Sequence, residues 1–292
     1  MTDPSIGGPR LSVVLATTDA WPDLATCLSV LEPQVRTLDA ELIVGDGDGQ
    51  GLPEQYSSDA GRVVWIRQPG ASVFHLRALA VARAKGEIIA TTEDHCVVGA
   101  DWCQRILAAH QEHPEALAIV GAVENGSTAT LIDWANYLHT FGAFAPPLDP
   151  SQRERCPVNA NLSYRRSVFP PGPLEPGWME LELNGKLFRA GQFHFDERIV
   201  VRHVQSHGFM GTLRAHFHNG RATTGLSPRS LSRRQLPWRL FSSTMRTIRN
   251  KPELASWVRS CAPLIATLSC CHSAGEVAGI LFGPGESPAR LR

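Results

Sequence analysis

The sequence predicts an α/β fold built on a doubly wound, mostly parallel sheet, with a more irregular second half and a helical C-terminal extension. Three observations carry this. Short apolar runs alternate with segments of helical period, the connections between them are short, and polar clusters stand at the carboxyl ends of the strands. Residues 11–16 form the first such run, near-continuously apolar as a strand covered on both faces should be. Thr17, Thr18 and Asp19 follow it, then a helical pattern through Leu24, Leu28 and Leu31. A second strand begins at Glu41, is broken by glycines and ends in Asp46 and Asp48. Residues 63–66 form a third strand. A helix over 72–85 is closed by Gly86. Residues 87–92 form the fourth strand, which runs straight into Glu93, Asp94 and His95. A helix over 101–113 ends at Pro114.

Beyond this point the pattern loosens. Residues 118–123 read as a strand and 130–140 as a helix. Residues 157–166 form a polar, strand-like segment in which Arg165 and Arg166 read as surface charges. Four prolines between 170 and 177 require a loop. A helical pattern over 178–190 is closed by Gly191, and a strand over 193–201 leads to His203. Residues 1–225 are expected to form one domain with halves at 11–115 and 116–225, and 226–292 an extension that is basic, then apolar. No internal repeat is visible.

Composition bounds the partners. The 292 residues carry 28 basic and 28 acidic side chains, so no global field draws nucleic acid. Seven cysteines without CxxC or zinc-finger spacing suit a reducing cytoplasm. The N-terminus lacks the apolar run of a signal peptide. No stretch reaches about 18 consecutive apolar residues, so no transmembrane helix is predicted. Charge is uneven, however. Arg229, Arg233, Arg234, Arg239, Arg246, Arg249 and Lys251 share one segment with Trp238, Leu240 and Phe241 and no acid. Such a mixture suits contact of residues 229–283 with an anionic membrane surface, the alternative being a solvated basic face beside ordinary helices. Two apolar stretches follow, interrupted at Pro263, Gly275 and Glu276.

Two carboxylates and an imidazole crowded at a strand end repel one another and lose hydration unless a positive group sits among them. A divalent metal carrying a phosphorylated ligand resolves this, whereas a polar turn with a helix cap is the plainer alternative. Three polar clusters on one rim of the sheet, where open α/β sheets bind ligands, favour the metal.

The order of residues 11–19, 41–47, the helical Leu76-Arg77-Ala78-Leu79-Ala80, residues 86–90 followed by Glu93-Asp94-His95, and Trp178-Met179-Glu180-Leu181-Glu182-Leu183 resembles the inverting nucleotide-sugar glycosyltransferases of family 2, which share the GT-A fold. The resemblance runs from about Leu11 to Arg221. It implies a nucleotide-sugar half at 11–115 and an acceptor and catalytic half at 116–225. Thr17, Asp19 and Asp46 would face the nucleotide, with Gly47 standing where the family has a second Asp. Arg77 would face the nucleotide or diphosphate, although Ala78 and Ala80 depart from the family's helix. Glu93-Asp94-His95 is an E-x-H form of the family's D-x-D. Glu93 and Asp94 would serve the donor, Glu93 and His95 the metal. An imidazole ligand favours Mn²⁺ over Mg²⁺. His203 would be a further ligand, with His194, His207, His216 and His218 as rivals. Glu180 would be the general base, with Glu182 as the alternative, and Asn159 and Asn161 would lie on the acceptor side.

The implied reaction moves a sugar from a nucleoside diphosphate sugar to an acceptor hydroxyl, with inversion. The acceptor would be a carbohydrate, a lipid-linked sugar or a small molecule, as in cell-envelope polysaccharide or glycolipid synthesis. The implied location is cytoplasmic, with the inner face of the membrane as a variant. The departures keep a second class open, a GT-A nucleotide-sugar binding protein without catalysis. A nucleotidyltransferase is a third, but residues 16–21 lack its glycine-rich phosphate loop.

Overall fold

The structure, a computed structural model, describes residues 8–18, 23–49, 63–152, 155–227, 237–249 and 251–291. The chain divides into two compact units. One comprises Met1–Gly121 and Val158–Val201, the other Ala122–Pro157 and Arg202–Arg292.

The first unit is organised by a sheet of β1 (Leu11–Thr17), β2 (Ala40–Asp46), β3 (Val63–Arg67), β4 (Ile88–Thr91), β5 (Cys96–Val98), β6 (Ala118–Asn125), β7 (Leu162–Arg165) and β8 (Phe193–His203). The last residues of β6 and β8 belong to the second unit. Strand order is β3-β2-β1-β4-β7-β6-β8-β5. The first four strands in that order are parallel, as the apolar runs predict. Their register sets Thr17 beside Asp46 and Val14 beside Thr91, so the polar strand ends share one rim. β7 enters antiparallel to both β4 and β6.

Helices α1 (Asp23–Thr37) and α2 (Val73–Arg83) connect parallel strands, and α3 (Trp102–Glu112) joins β5 to β6. The Ser72 hydroxyl caps α2 by accepting from the His75 N–H at 3.4 Å. Arg165 and Arg166, expected as surface charges, are instead spent on helix ends. Arg165 donates to the carbonyls of His110, His113 and Ala116 at the end of α3, at 2.7, 3.3 and 3.0 Å. Arg166 donates to the Ala84 carbonyl past α2. Carbonyls left without helical partners thereby gain charged donors. Gly86, expected to close α2, has another duty, because the helix already ends at Arg83. A Cβ at residue 86 would lie 2.5 Å from the Ser12 nitrogen, so only glycine lets the chain pass β1 this closely. Its N–H donates to the Ser12 hydroxyl at 2.8 Å.

The second unit holds α4 (Leu131–Phe141), α6 (Gly208–Leu226), α7 (Pro237–Arg249) and α8 (Ala255–Phe282); α5 (Asn184–Arg189) lies in the first. Thr130 caps α4 in a reciprocal box with Asp133. The two apolar stretches expected near the end form one helix, α8, which continues through Pro263. Beyond Pro263, α6 lies against the later part of α8 along a seam of small residues. A Cβ at Gly275 would lie 2.0 Å from the Phe217 carbonyl oxygen, and one at Gly220 2.2 Å from that of His272. The Thr224 hydroxyl crosses the seam to the Glu276 carbonyl at 3.0 Å. Residues 252–282 are, among those described, long and apolar enough to cross a membrane by length and composition, with 33% of their most apolar stretch buried. The segment qualifies on average composition, not on unbroken apolar length.

Candidate active site

Where β4 ends, Thr91 and Thr92 are buried and the chain turns. The Cys96 N–H donates to the Glu93 carbonyl at 2.9 Å, and the Cys27 thiol of α1 approaches the same oxygen at 3.7 Å. The turn sets three side chains together. His95 Nδ1 lies 2.7 Å from Asp94 Oδ1, and Nε2 3.5 Å from Glu93 Oε2. Burial alone would favour the neutral ring, but the hydrogen bonds to Asp94 and Glu93 outweigh it and push the His95 pKa up to about 10. At neutral pH His95 is thus an imidazolium held between two acids. That donor set, two carboxylates and an imidazole with a proton to surrender, fits a divalent cation.

Arg77 of α2 crosses to this cluster. Its guanidinium is 3.0 Å from Glu93 Oε1 and 3.3 Å from Glu180 Oε1, and the residue is only 7% exposed. Desolvation works against its charge, yet Glu93 and Glu180 more than compensate, and its pKa is raised. Its Nε has no hydrogen-bond partner among the described residues. Three acids, Glu93, Asp94 and Glu180, therefore share two cations, Arg77 and His95.

Glu180 stands in an unusual piece of backbone. Residues Met179–Leu183 form a π-helical turn that leads into α5, and such turns concentrate at functional sites. Met179 and Leu183 are buried, so the turn is pinned by its apolar side. Desolvation raises the pKa of the Glu180 carboxyl, opposed chiefly by Arg77 and in smaller part by the Asn159 side chain. Asn159, Asn184 and Tyr164, each under 5% exposed, form a buried hydrogen-bonded trio in the same unit. Asn184 and Tyr164 were not anticipated as site residues. The available signal was Asn184 four residues after Glu180, on the same face of a helical pattern.

The remaining expected residues are distributed as follows. Asp46 is fully buried, and its carboxylate accepts from the Gly49 N–H at 2.9 Å and the Trp65 indole N–H at 3.1 Å. It holds the turn after β2. Gly47 has a steric reason, since a Cβ there would lie 2.8 Å from the Ala71 carbonyl oxygen. A second Asp does not fit. Thr17 is buried beside Asp46, its hydroxyl without a hydrogen-bond partner among the described residues. Asp19 lies outside the described residues. Asn161, expected on the acceptor side, is scaffold: it accepts from Trp102 Nε1 and donates to the Ile199 carbonyl, both at 2.9 Å. His203 is the buried last residue of β8 and belongs to the second unit, where its ring packs 4.4 Å from that of Phe141.

The sequence profile of glycosyl transferase family 2 matches residues 12–170. The chain belongs to glycosyl transferase family 2. The matched span of this glycosyltransferase contains Arg77, Glu93-Asp94-His95 and Asn159, while Glu180, Asn184 and His203 lie past its end. No curated protein matches the enzyme in sequence. Among solved structures, it is similar to the mannosyltransferase PcManGT from Pyrobaculum calidifontis in complex with GDP-Man and Mn²⁺. The identity is 14% over 96% of this chain and 89% of that one, with a TM-score of 0.52. It is also similar to S. aureus TarS 1–349, at 12% identity over 92% of this chain and 90% of that one, with a TM-score of 0.48. The likeness to PcManGT concerns the fold alone, and with the matched family it agrees with the GT-A fold that the motif order implied.

Proposed function

We propose that this glycosyltransferase moves a sugar from a nucleoside diphosphate sugar to an acceptor hydroxyl, with inversion and with a divalent metal. The observation that carries this is Arg77 joining the Glu93-Asp94-His95 turn to Glu180, one cation between a donor-side cluster and a single acid. Glu93 and His95 would hold the metal and Asp94 would serve the donor, with His203 proposed as a further ligand from its place at the end of β8. Imidazole donors favour Mn²⁺ over Mg²⁺. The mannosyltransferase of similar fold carries GDP-Man and Mn²⁺. When bound, the metal neutralises charge on the diphosphate. Thr17, Asp19 and the turn shaped by Asp46 would receive the nucleoside. Glu180 takes the proton from the acceptor hydroxyl as its oxygen bonds to the anomeric carbon. The bond from that carbon to the diphosphate oxygen breaks, and the electron pair leaves with the diphosphate, near Arg77.

A thermal-shift screen of UDP-, GDP- and dTDP-sugars with and without Mn²⁺ tests the reading. Stabilisation by one donor that requires the metal is expected, and no shift with any donor would overturn it. His95→Ala should weaken Mn²⁺ binding about 100-fold or more, since even outer-shell partners are worth 10–100-fold. Calorimetry should also find wild-type Mn²⁺ affinity rising from pH 6 to pH 8, because His95, with its pKa near 10, must surrender a proton. An unchanged titration in the variant would remove His95 from the ligand set.

We further propose that the enzyme works at the inner face of a membrane on a lipid-linked acceptor, in envelope polysaccharide or glycolipid synthesis. Support comes from α7, where Trp238, Arg239, Arg246 and Arg249 are exposed, and from Leu281 and Phe282 at the end of α8. Lys251 does not contribute, being buried with its ammonium donating to the carbonyls of Ala143, Ala145 and Pro147. Arg229, Arg233 and Arg234 lie outside the described residues. Cosedimentation with anionic vesicles at low salt and release at high salt are expected. No binding at low salt would reject the proposal.

A further inference from the structure

We infer that His139, His216 and His272 form an acid-sensitive latch in the second unit, holding α4, α6 and α8 together only while their rings are uncharged. One ring comes from each helix. His139 meets His216 edge to face, with centroids 4.6 Å apart and planes at 89°. His272 lies 6.2 Å from the first ring and 6.4 Å from the second. His139 and His216 are 3% and 6% exposed, and the side chain of His272 21%. Little stands ready to receive a charge here. His216 Nε2 donates to Asn136 Oδ1 at 2.9 Å, while the buried Nε2 of His139 has no hydrogen-bond partner among the described residues. The latch also sits where two helix backbones approach most closely. A Cβ at Gly220, one turn after His216, would meet the carbonyl oxygen of His272 itself. Separating α6 from α8 and wetting these rings are therefore one event.

The groups that face the rings oppose a further positive charge. Arg155, from the segment after α4, donates to the His139 carbonyl at 3.0 Å and bears on all three rings. His207, at the start of α6, bears on His216. Glu276 of α8 is, among the described residues, the one acid within ion-pair distance, 4.0 Å from His272 Nε2. Other charged and titratable groups on these helices and their neighbours are engaged elsewhere or exposed. Asp133 closes the α4 cap, Lys251 donates to the carbonyls of Ala143, Ala145 and Pro147, and Arg221 donates to that of Gly283. His218 bonds the Ser287 hydroxyl, Glu286 pairs with Arg290, and Arg214, Arg259 and the arginines of α7 are exposed. A proton on any ring is thus held without water, beside Arg155. Burial first, and then these neighbours, push the His139 pKa far down and those of His216 and His272 down to about 3 and about 4. A ring released to water regains its ordinary pKa of about 6.5. The closed unit therefore binds fewer protons than the open one, so the latch is intact above about pH 6.5 and is lost as pH falls below it.

The experiment follows amide hydrogen exchange of the full chain from pH 7.5 to pH 4.5, corrected for the intrinsic pH dependence of exchange. EDTA is present throughout, so that no metal bridges the rings. Protection of α6 and α8 should fall by about tenfold per pH unit for each ring that gains a proton on opening, hence by up to about 10³-fold per unit below pH 6. His139→Phe and His272→Gln each remove one titrating ring and should flatten this slope by about tenfold per pH unit. Carboxylates that titrate in the same range contribute to wild type and variant alike, so the difference in slope isolates the ring. His272→Gln, at the partly exposed ring, keeps the test decisive if His139→Phe does not fold. Wild-type protection that is flat between pH 7 and pH 5 would overturn the inference. So would variants that lose protection equally at every pH and keep the wild-type slope, since that is the mark of a packing role alone.

Discussion

Replacing Glu180 by Gln is expected to lower sugar transfer by about 10²–10⁴-fold, the range of a positioned general base. Donor binding should survive. The amide oxygen of Gln can still accept from Arg77, whose guanidinium sits 3.3 Å from Glu180 Oε1, so the guanidinium stays in place. Nor should the fold suffer, since burial already works against the Glu180 charge and a neutral amide lifts that cost. The combination identifies the role: turnover lost, donor-induced thermal shift kept. A Gln variant with near-normal turnover would take Glu180 out of the mechanism and leave Glu182 to be tested.

Arg77→Met is expected to damage stability as well as activity. The side chain is 9% exposed, and it stands between Glu93 and Glu180, exposed by 21% and 14%. Removing one member of a buried ion pair strands the other, at a typical cost of about 3–5 kcal/mol. Two acids are stranded here, so a melting temperature lower by roughly 10 °C is expected. The pH dependence has a definite sign. Without Arg77, desolvation of Glu180 is less opposed, and its folded-state pKa rises further above the unfolded value. The folded variant then binds more protons than the unfolded one, and its stability falls as pH rises. The gap between wild type and variant should be largest near pH 8 and narrow toward pH 5. The double variant Arg77→Met, Glu180→Gln should recover part of the loss, because one stranded charge is gone. Equal melting temperatures for wild type and Arg77→Met across that range would show that the guanidinium is not holding the acids together.

Much of the parallel sheet was legible because strands covered on both faces must be apolar throughout. Residues 11–16 and 87–92 each announce a strand and its polar end in one stretch. β5 was not legible, since Cys96–Val98 is too short for any period to register. The continuity of α8 was hidden for a different reason. Pro263 and Gly275 are locally helix-breaking, and only the packing against α6 shows why a glycine stands at residue 275. In the site, Glu93-Asp94-His95 could be read as a cluster because its members are sequence neighbours. The link from Arg77 to Glu180 spans 103 residues and leaves no local trace. Arg165, Arg166 and Asn161 show the reverse error. Each looks like a surface or functional polar residue in sequence, yet each is committed to backbone groups elsewhere in the first unit.

The π turn makes the enzyme unusually sensitive to chain length at one place. A π turn holds more residues than an α turn, so Met179–Leu183 is a stretch from which one residue could be deleted while the helix closes up as ordinary α. Such a deletion would keep α5 hydrogen-bonded and its apolar contacts nearly intact. Everything upstream of it would rotate by about 100° relative to α5, which would swing Glu180 away from Arg77. Point substitutions around the turn test side chains one at a time. A single-residue deletion would instead separate a folded protein from a working one.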